Sequence, residues 1–383
     1  MKLDYDLLPM KMHYFLFFGG VEMLRKFLPL IYRSKGVTEQ GIGLMYSILP
    51  LVCIMVTPVL GFLSDYLKAR RTIFIISLAV VALANMAVYV LPSVTEHKPR
   101  VILDVLENVH ILGDLPRENQ TEIISTIQML LGKVNSELSM SELLTCPKFW
   151  LLFLTHLGDQ LCIGLCFTLA DTLCFRMIGK NSQEYGRQRM FGSFGLGMMA
   201  LLGTLAVDLY SEGSSSGPDY LPLFAVCLLF SALDLAVVAG MDVPKVQTEL
   251  NVAKITSTLT KPRNILFFVS MLVFGFCMNL MWVWKPLLVE DMAHDYDKDF
   301  PAHAFLQGGM IFMQSLGALI SFRASGWMIK GLGHMPVIIL SFAAFGAHLV
   351  LLAVVCNPWC IYLPFGLLEN TISCLLWPVY SKY

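Results

Sequence analysis

Three charged side chains lie near the middle of the first long apolar segment: Glu22, Arg25 and Lys26. If that segment is helical, spacings of three and four residues place the glutamate beside both bases. A charge at the centre of a bilayer costs at least about 2.5 kcal/mol on insertion scales, so such groups normally face a partner or a cavity. The trio is therefore either a self-neutralising cluster that holds the helix against its neighbours or a binding group for a proton or a substrate.

A second polar group lies in the apolar segment 148–175, where His156 and Asp159 are three residues apart and share one helical face. Asp159 either forms a structural ion pair with Arg25 or takes up a proton, which His156 could share. Polar side chains at a similar depth in later apolar segments are Asn279, Glu369 and Asn370. Lower-ranked intramembrane residues are Asp234, Asn85 and His348.

The composition sets the class of protein that must position these groups. Of 383 residues, 56% are hydrophobic and only 14% are charged, whereas a soluble domain has about a quarter charged residues. The apolar residues occur in blocks of about 20, which is the length needed to cross a bilayer. No nucleic-acid-binding pattern, metal-ligand spacing, cofactor motif or nucleophile–base pair is evident. The sequence predicts an all-α polytopic membrane protein that is not an enzyme and that uses no cofactor or metal.

Ten apolar segments are long enough to span a membrane. Their predicted limits are 12–32, 41–65, 71–92, 148–175, 190–209, 220–242, 263–285, 302–322, 335–355 and 360–380. If the N-terminus is cytoplasmic, the inner connections hold about twice as many Lys and Arg residues as the outer ones. The excess of positive charge on the cytoplasmic side favours that orientation, with both termini inside.

The connection 92–147 is unusually long and is predicted to lie outside. Residues 121–138 within it have one apolar helical face, and Asn119 begins a glycosylation sequon. The insertion is interpreted as a small helical cap on the membrane surface, with a partner-binding or ligand-binding cap as the alternative.

The turn after the second span, GFLSDYLKARR at 61–71, puts an acid at a helix end and bases behind it. It resembles the signature turn of the major facilitator superfamily, matching at Gly61, Leu63, Ser64 and Asp65 and departing at Tyr66 and Lys68. The resemblance implies a major facilitator superfamily fold and a gating role for this turn. The residues that carry that role are Gly61, Asp65, Lys68, Arg70 and Arg71.

Segments 27–52, 184–203 and 367–383 resemble the lactose-permease-like branch of this superfamily, which carries the "major facilitator superfamily associated domain". The resemblance implies a first six-helix bundle at 1–243 with the insertion at 92–147, a cytoplasmic linker at 244–262 and a second bundle at 263–383. Helices 11 and 12 of the superfamily are missing from this chain, so a shortened form that transports poorly is expected.

The superfamily resemblance also implies that helices 1, 4, 7 and 10 line a central cavity. Glu22, Asp159, Asn279 and Glu369 lie on those four helices at about the same depth. Nearer the cytoplasm, Asp171, beside Arg176, is expected to form a structural clamp with the turn that carries Arg187 and Arg189.

The expected function is secondary active transport of a small solute by alternating access, coupled to protons through Glu22, Asp159 or Glu369. The alternative is a non-transporting receptor or scaffold that acts through the external insertion 92–147. The expected partners are the lipid bilayer, a small-molecule substrate and protons. A glycosylated monomer in the plasma membrane or an endomembrane is expected.

Overall fold

The computed structural model describes residues 7–67, 69–94, 139–179, 185–212, 218–241, 262–296 and 303–354, together with Asn357 and Trp359. All regular elements within these ranges are helices, so the predicted all-α class is confirmed. The predicted tenth span, the linker 244–261 and residues 95–138 of the insertion lie outside the described residues.

The first predicted span forms two α-helices joined by a π-helical turn, and the remaining described spans are single helices. Their bounds are α1 Leu8–Phe17, the π turn Phe18–Glu22, α2 Met23–Ser34, α3 Glu39–Tyr66, α4 Arg70–Val90, α5 Met140–Thr145, α6 Pro147–Ile178, α7 Tyr185–Tyr210, α8 Leu221–Gly240, α9 Pro262–Tyr296, α10 His303–Leu332 and α11 His334–Val354. Eight of these helices are long and apolar enough to cross a membrane by length and composition. The chain is an integral, multi-pass membrane protein.

Helix α9 extends well beyond the predicted limit of residue 285. Apolar content ends the predicted span at Lys285, but the helix continues through Pro286 to Tyr296. The Gln307 amide donates to the Pro286 carbonyl oxygen at 2.7 Å. A polar extension of this kind carries no hydropathy signal, because its stability comes from contacts with the rest of the fold rather than from lipid.

Small residues on α7 allow backbones to approach closely within the first half of the chain. A Cβ at Gly192 would lie 2.9 Å from the Phe18 ring, and one at Gly195 would overlap the Phe15 carbonyl oxygen. Phe15 and Phe18 belong to the first span, so the glycine-rich sequence of α7 serves close helix packing, as its small-residue spacing predicts.

The opposite face of α7 packs along α10. This contact joins the residues before 244, the first half of the chain, to the residues after 261, the second half. A Cβ at Gly197 would lie 2.6 Å from the Ser315 Cβ, and one at Gly308 would overlap Thr204. At the end of this contact the Asp208 carboxylate accepts the Phe305 backbone N–H at 2.8 Å. An acid from the first half thus caps the first turn of a helix in the second half.

The insertion rejoins the described chain at a capped helix, α5. The Ser139 hydroxyl accepts the Glu142 N–H, and the Ser139 N–H donates to the Glu142 carboxylate at 2.9 Å. The hydrogen bonds that the Ser139 N–H and the Ser139 hydroxyl donate to the Glu142 carboxylate lower the pKa of that carboxyl, because they favour its ionised form. Leu143 is fully buried and lies against Gly41 of α3. One end of the insertion is therefore docked on the helical bundle.

The α7–α10 contact can be tested with Gly308→Val. The added side chain meets Thr204 and the Ala200 carbonyl oxygen, which a Cβ at Gly308 would approach to 2.6 Å. We expect a loss of about 1–3 kcal/mol of unfolding free energy, as for other overpacked sites. Unfolding in mixed micelles measures it. The control is Gly346→Val, since no neighbouring atom lies within 4 Å of a Cβ there. Equal losses in the two variants would contradict the contact.

Candidate functional site

The polar site begins at the π turn of the first span. Gly19 and Gly20 lie within this turn, and a Cβ at Gly20 would be 2.7 Å from the Cβ of Phe230 on α8. The wide π turn approaches α8 this closely because both positions lack a side chain. Glu22 is the last residue of the turn and is 8% exposed, so the turn delivers an acid to the interior of the first half.

Arg25 links Glu22 to α6. Its Nη1 donates to Glu22 Oε1 at 2.6 Å and its Nη2 donates to Gln160 Oε1 at 2.7 Å. The Glu22 and Arg25 side chains are 10% and 14% exposed. Two charges removed from water need this kind of direct pairing with additional hydrogen bonds. The structure therefore brings together the predicted pair Glu22 and Arg25 and adds an amide partner.

Gln160 continues the network to His156. Its amide nitrogen lies 3.3 Å from His156 Nε2 on the same helix, and the rings of Tyr32 and Tyr46 lie 5.4 Å and 5.2 Å from the imidazole. His156 is fully buried, and its Nδ1 has no hydrogen-bond partner within the described part of the chain. The tyrosine rings enclose the histidine on the side facing α2 and α3.

Asp159 lies next to this network but is bound from another helix. Its Oδ1 accepts the Asn85 amide at 3.1 Å, whereas its Oδ2 is buried without a hydrogen-bond partner among the described residues. Of the two alternatives for Asp159, a direct ion pair with Arg25 is not what the hydrogen bonds show, because Glu22 and Gln160 bind the guanidinium. Asn85, which the sequence ranks low, is the partner, and no pattern within α4 distinguishes it.

Two contacts carry the polar layer across to the second half. Lys26 Nζ lies 4.2 Å from the centroid of the Trp282 ring on α9, a cation–π distance. The Asn279 amide donates to the Tyr46 carbonyl oxygen on α3 at 3.1 Å. Lys26 and Asn279, both predicted as site residues, thus meet the boundary between the halves. Glu369 and Asn370 lie outside the described residues.

A group of ion pairs joins the halves at one end of the bundle. The Arg33 guanidinium contacts Asp291 at 2.7 Å, Glu290 at 3.0 Å and Glu39 at 3.4 Å. We call these four residues the Arg33 cluster. Glu290 and Asp291 lie on the part of α9 that extends beyond the predicted span, so hydropathy gave no indication of this cluster.

The opposite end of the bundle contains Asp171, which is predicted to form a clamp. Its Oδ1 accepts the Tyr14 hydroxyl at 2.8 Å and lies 3.4 Å from Arg189 Nη1. Arg189 also stacks over the Phe18 ring at 4.4 Å. Arg187 is exposed, and Arg176 instead lines a small cavity with Arg70. Within this end, Asp171 is thus bound by Arg189 and Tyr14 rather than by its sequence neighbour.

The signature-like turn is seen in part. The Ser64 hydroxyl donates to the Gly61 carbonyl oxygen at 2.8 Å, and Arg71 donates to the carbonyl oxygen of Ala239 at the end of α8. No atom lies within 4 Å of a Cβ placed on Gly61, so packing in this conformation does not require glycine there. The Asp65 side chain and Lys68 lie outside what the structure describes.

A buried pair that sequence reasoning did not single out lies between α1 and α8. His13 Nδ1 is 2.7 Å from Asp234 Oδ1, and both side chains are 1% exposed. The two residues are 221 positions apart, so no local spacing could have indicated the contact. The pair ties the first span to the sixth, away from the boundary between the halves.

A match to a protein-family model identifies the family of this chain. The model of the MFS_1-like family matches residues 7–383. The chain belongs to the MFS_1-like family. The predicted membership of the major facilitator superfamily is therefore confirmed.

Solved structures agree with the family assignment at the level of the fold. A crystal structure of a mutant of the nucleoside transporter NupG superposes with a TM-score of 0.61 at 14% identity, covering 98% of this chain and 81% of that one. A second structure of NupG gives a TM-score of 0.59 at 12% identity, with the same coverage. At such low identity the likeness shows the shared major facilitator superfamily fold and carries no residue-level information.

The pairing of Glu22 with Arg25 gives a stability prediction. Glu22→Gln leaves the Arg25 charge without its acid and should lower the free energy of unfolding by about 3 kcal/mol. The double variant Glu22→Gln with Arg25→Gln should lose less than Glu22→Gln alone, because no charge is stranded. Unfolding in mixed micelles checks both. The matched control is Glu212→Gln, at an exposed position. A double variant whose loss equals the sum of the losses in Glu22→Gln and in Arg25→Gln would argue against a direct pair.

Proposed function

We propose that this protein is a non-enzymatic secondary transporter that moves a small polar solute by alternating access. The observation that supports this most is the polar layer at the boundary between the halves, where Arg25, Gln160 and His156 adjoin the contacts of Lys26 with Trp282 and of Asn279 with Tyr46. A structural pair alone would not need amide, imidazole and aromatic groups in one layer. Membership of the MFS_1-like family supports the same function.

The chemistry of this layer favours a substrate with several hydrogen-bonding groups and a ring. Amide and guanidinium groups bind hydroxyl and carbonyl oxygens, and Tyr46 and Trp282 offer faces on which a ring can stack. NupG is described as a nucleoside transporter, and the lactose-permease-like branch suggests a sugar. We propose nucleosides and sugars as the first classes to test, using radiolabelled uridine and lactose in proteoliposomes.

Proton coupling is proposed to run through Asp159. Its Oδ2 is buried without a hydrogen-bond partner, so this oxygen can hold a proton without losing an existing bond. Arg25 and Glu22 from the first span and Asn85 from α4 are its charged and hydrogen-bonding neighbours. Glu22 is hydrogen-bonded to Arg25 and is proposed to hold the guanidinium in place while Asp159 exchanges its proton.

The proposed transporter has a defined orientation in its membrane and a proposed place within the superfamily. We propose that both termini are cytoplasmic, that the Arg33 cluster and the insertion 92–147 face outward, and that the protein works as a monomer in the plasma membrane or an endomembrane. Within the superfamily we place it near major facilitator superfamily domain-containing protein 6, on the segments at 27–52 and 184–203. If no solute is taken up, a receptor that acts through the insertion is the remaining function.

The coupling proposal predicts the behaviour of Asp159→Asn. In a protein of full superfamily length, wild-type uptake should rise when the outside is made more acidic than the inside, because inward proton movement then drives substrate movement. Asp159→Asn should lose this dependence on the pH gradient and retain exchange of labelled for unlabelled substrate, which needs no net proton transfer. The matched control is Asp295→Asn, at an exposed position. A wild-type response to the pH gradient in Asp159→Asn would exclude Asp159, and no pH dependence in the wild type would leave a facilitator.

The orientation predicts which residues can be modified from outside. Endoglycosidase should shift the gel mobility of the wild type but not of Asn119→Gln, because the sequon is proposed to be glycosylated. An impermeant amine reagent applied to intact cells should not label Lys245 or Lys254 in the linker. Labelling of either lysine in sealed cells would reverse the orientation.

A further inference from the structure

The first span has an unusual joint at its π turn, Phe18–Glu22. The Met23 N–H reaches the carbonyl oxygen of Phe18, five residues earlier, whereas an α-helix would pair it with the residue four earlier. Such a turn holds one residue more than the α-helix on either side. An extra residue in a helix has a definite location, but it can move when neighbouring hydrogen bonds exchange one at a time.

The joint separates two parts of the span that have different partners. On α1, His13 pairs with Asp234 and Tyr14 with Asp171, both within the first half. On α2, Lys26 lies over Trp282 and Arg33 pairs with Asp291, both in the second half. Both of these contacts with the second half lie on the α2 side of the π turn, although α2 also contacts the first half through Arg25 and Gln160.

The joint and the helix after it depart from a regular α-helix at two places. Gly19 and Gly20 lie within the π turn and pack closely against Phe230, so a shift of the backbone there carries no side chain past α8. Beyond the joint, Pro29 lies inside α2 and has no N–H to bond the Arg25 carbonyl oxygen. The helix between Glu22 and Pro29 is therefore held by fewer backbone hydrogen bonds than an ordinary helix.

We propose that the extra residue of the π turn migrates toward Pro29 when the two halves rearrange, and that this migration re-aims Arg25 and Lys26. When the extra residue passes a position in the helix, the residue at that position turns by about 100° about the helix axis and moves by about 1.5 Å along it. Arg25 then leaves Gln160, and Lys26 leaves Trp282. The inference rests on the proposed alternating access, since it supplies the step that changes the polar layer between the two states.

Migration is compatible with a membrane interior because it never frees many backbone groups together. Each step replaces one helical hydrogen bond by the next, so the requirement to keep backbone groups paired in lipid is met throughout. A rigid rotation of α2 would instead break several bonds at once. The π turn allows the residues between it and Pro29 to change the direction they face while α1 keeps its contacts with the first half.

The test is deletion of Val21, which removes the extra residue. The first span should become one continuous α-helix with both flanks in their present orientation, so the protein should fold but lose the joint. The control deletes Val81, which is equally buried but lies in the regular helix α4. That deletion rotates the rest of α4 by about 100° and should prevent folding.

The readout is the distance between spin labels at Gln40→Cys and Asp295→Cys, two exposed positions on either side of the Arg33 cluster. The labels are placed in a background whose reactive native cysteines are replaced. We expect two distances in the wild type, with the longer one enriched by Arg33→Gln, which breaks the ion pairs. In the Val21 deletion with Arg33→Gln, the fraction of molecules that show the longer distance should fall about tenfold or more.

The outcomes separate the joint from the proposed function. Two distances in both the wild type and the Val21 deletion would overturn the joint and leave alternating access intact. A single distance both in the wild type and in Arg33→Gln would contradict the proposal of alternating access and, with it, the proposed role of the joint. If the Val21 deletion fails to fold, Pro29→Ala decides. Restoring the N–H to the Arg25 carbonyl should stabilise the regular helix against the migrated turn and reduce the population of the longer distance. An unchanged distance distribution would overturn the joint.

Discussion

The polar interior of this membrane protein depends on satisfying one guanidinium. Arg25 lies inside the first half and needs an acid and further acceptors, which Glu22 and Gln160 supply. Gln160 then uses its amide nitrogen for His156, so satisfying one charge orders the polar face of α6. A lipid-facing arginine at this depth would cost several kcal/mol. The first span must therefore hold this face against α6, and its π turn and glycines are the local means of doing so.

Hydropathy was enough to predict most of the helices, because nearly every span must present apolar side chains to lipid for about 20 residues. It failed where stability comes from protein contacts alone. The polar end of α9 at Glu290 and Asp291 is one example, since Arg33 holds it. The division of the first span by a π turn is another, because an extra residue in a helix leaves the apolar pattern almost unchanged.

The charged residues of the site could be listed from the sequence, but their partners could not. Depth along a helix follows from counting residues, which is why Glu22, Arg25 and Asp159 stood out. The choice of partner depends on how helices are rotated about their axes, and Asn85 binds Asp159 from 74 positions away. In the same way, Asp171 is held by Tyr14 and Arg189, while the nearer Arg176 lies elsewhere.

Helix α7 has two glycine faces that pack against different parts of the protein. Gly195 touches Phe15 of the first half, whereas Gly197, two residues on and roughly opposite, touches Ser315 of the second half. A side chain added at Gly195 would push α7 away from the first span, and one added at Gly197 would push it away from α10. Because these contacts lie on nearly opposite sides of one helix, α7 cannot shift to relieve one of them without tightening the other. The helix thus acts as a spacer that fixes the distance between the first span and α10 from both sides.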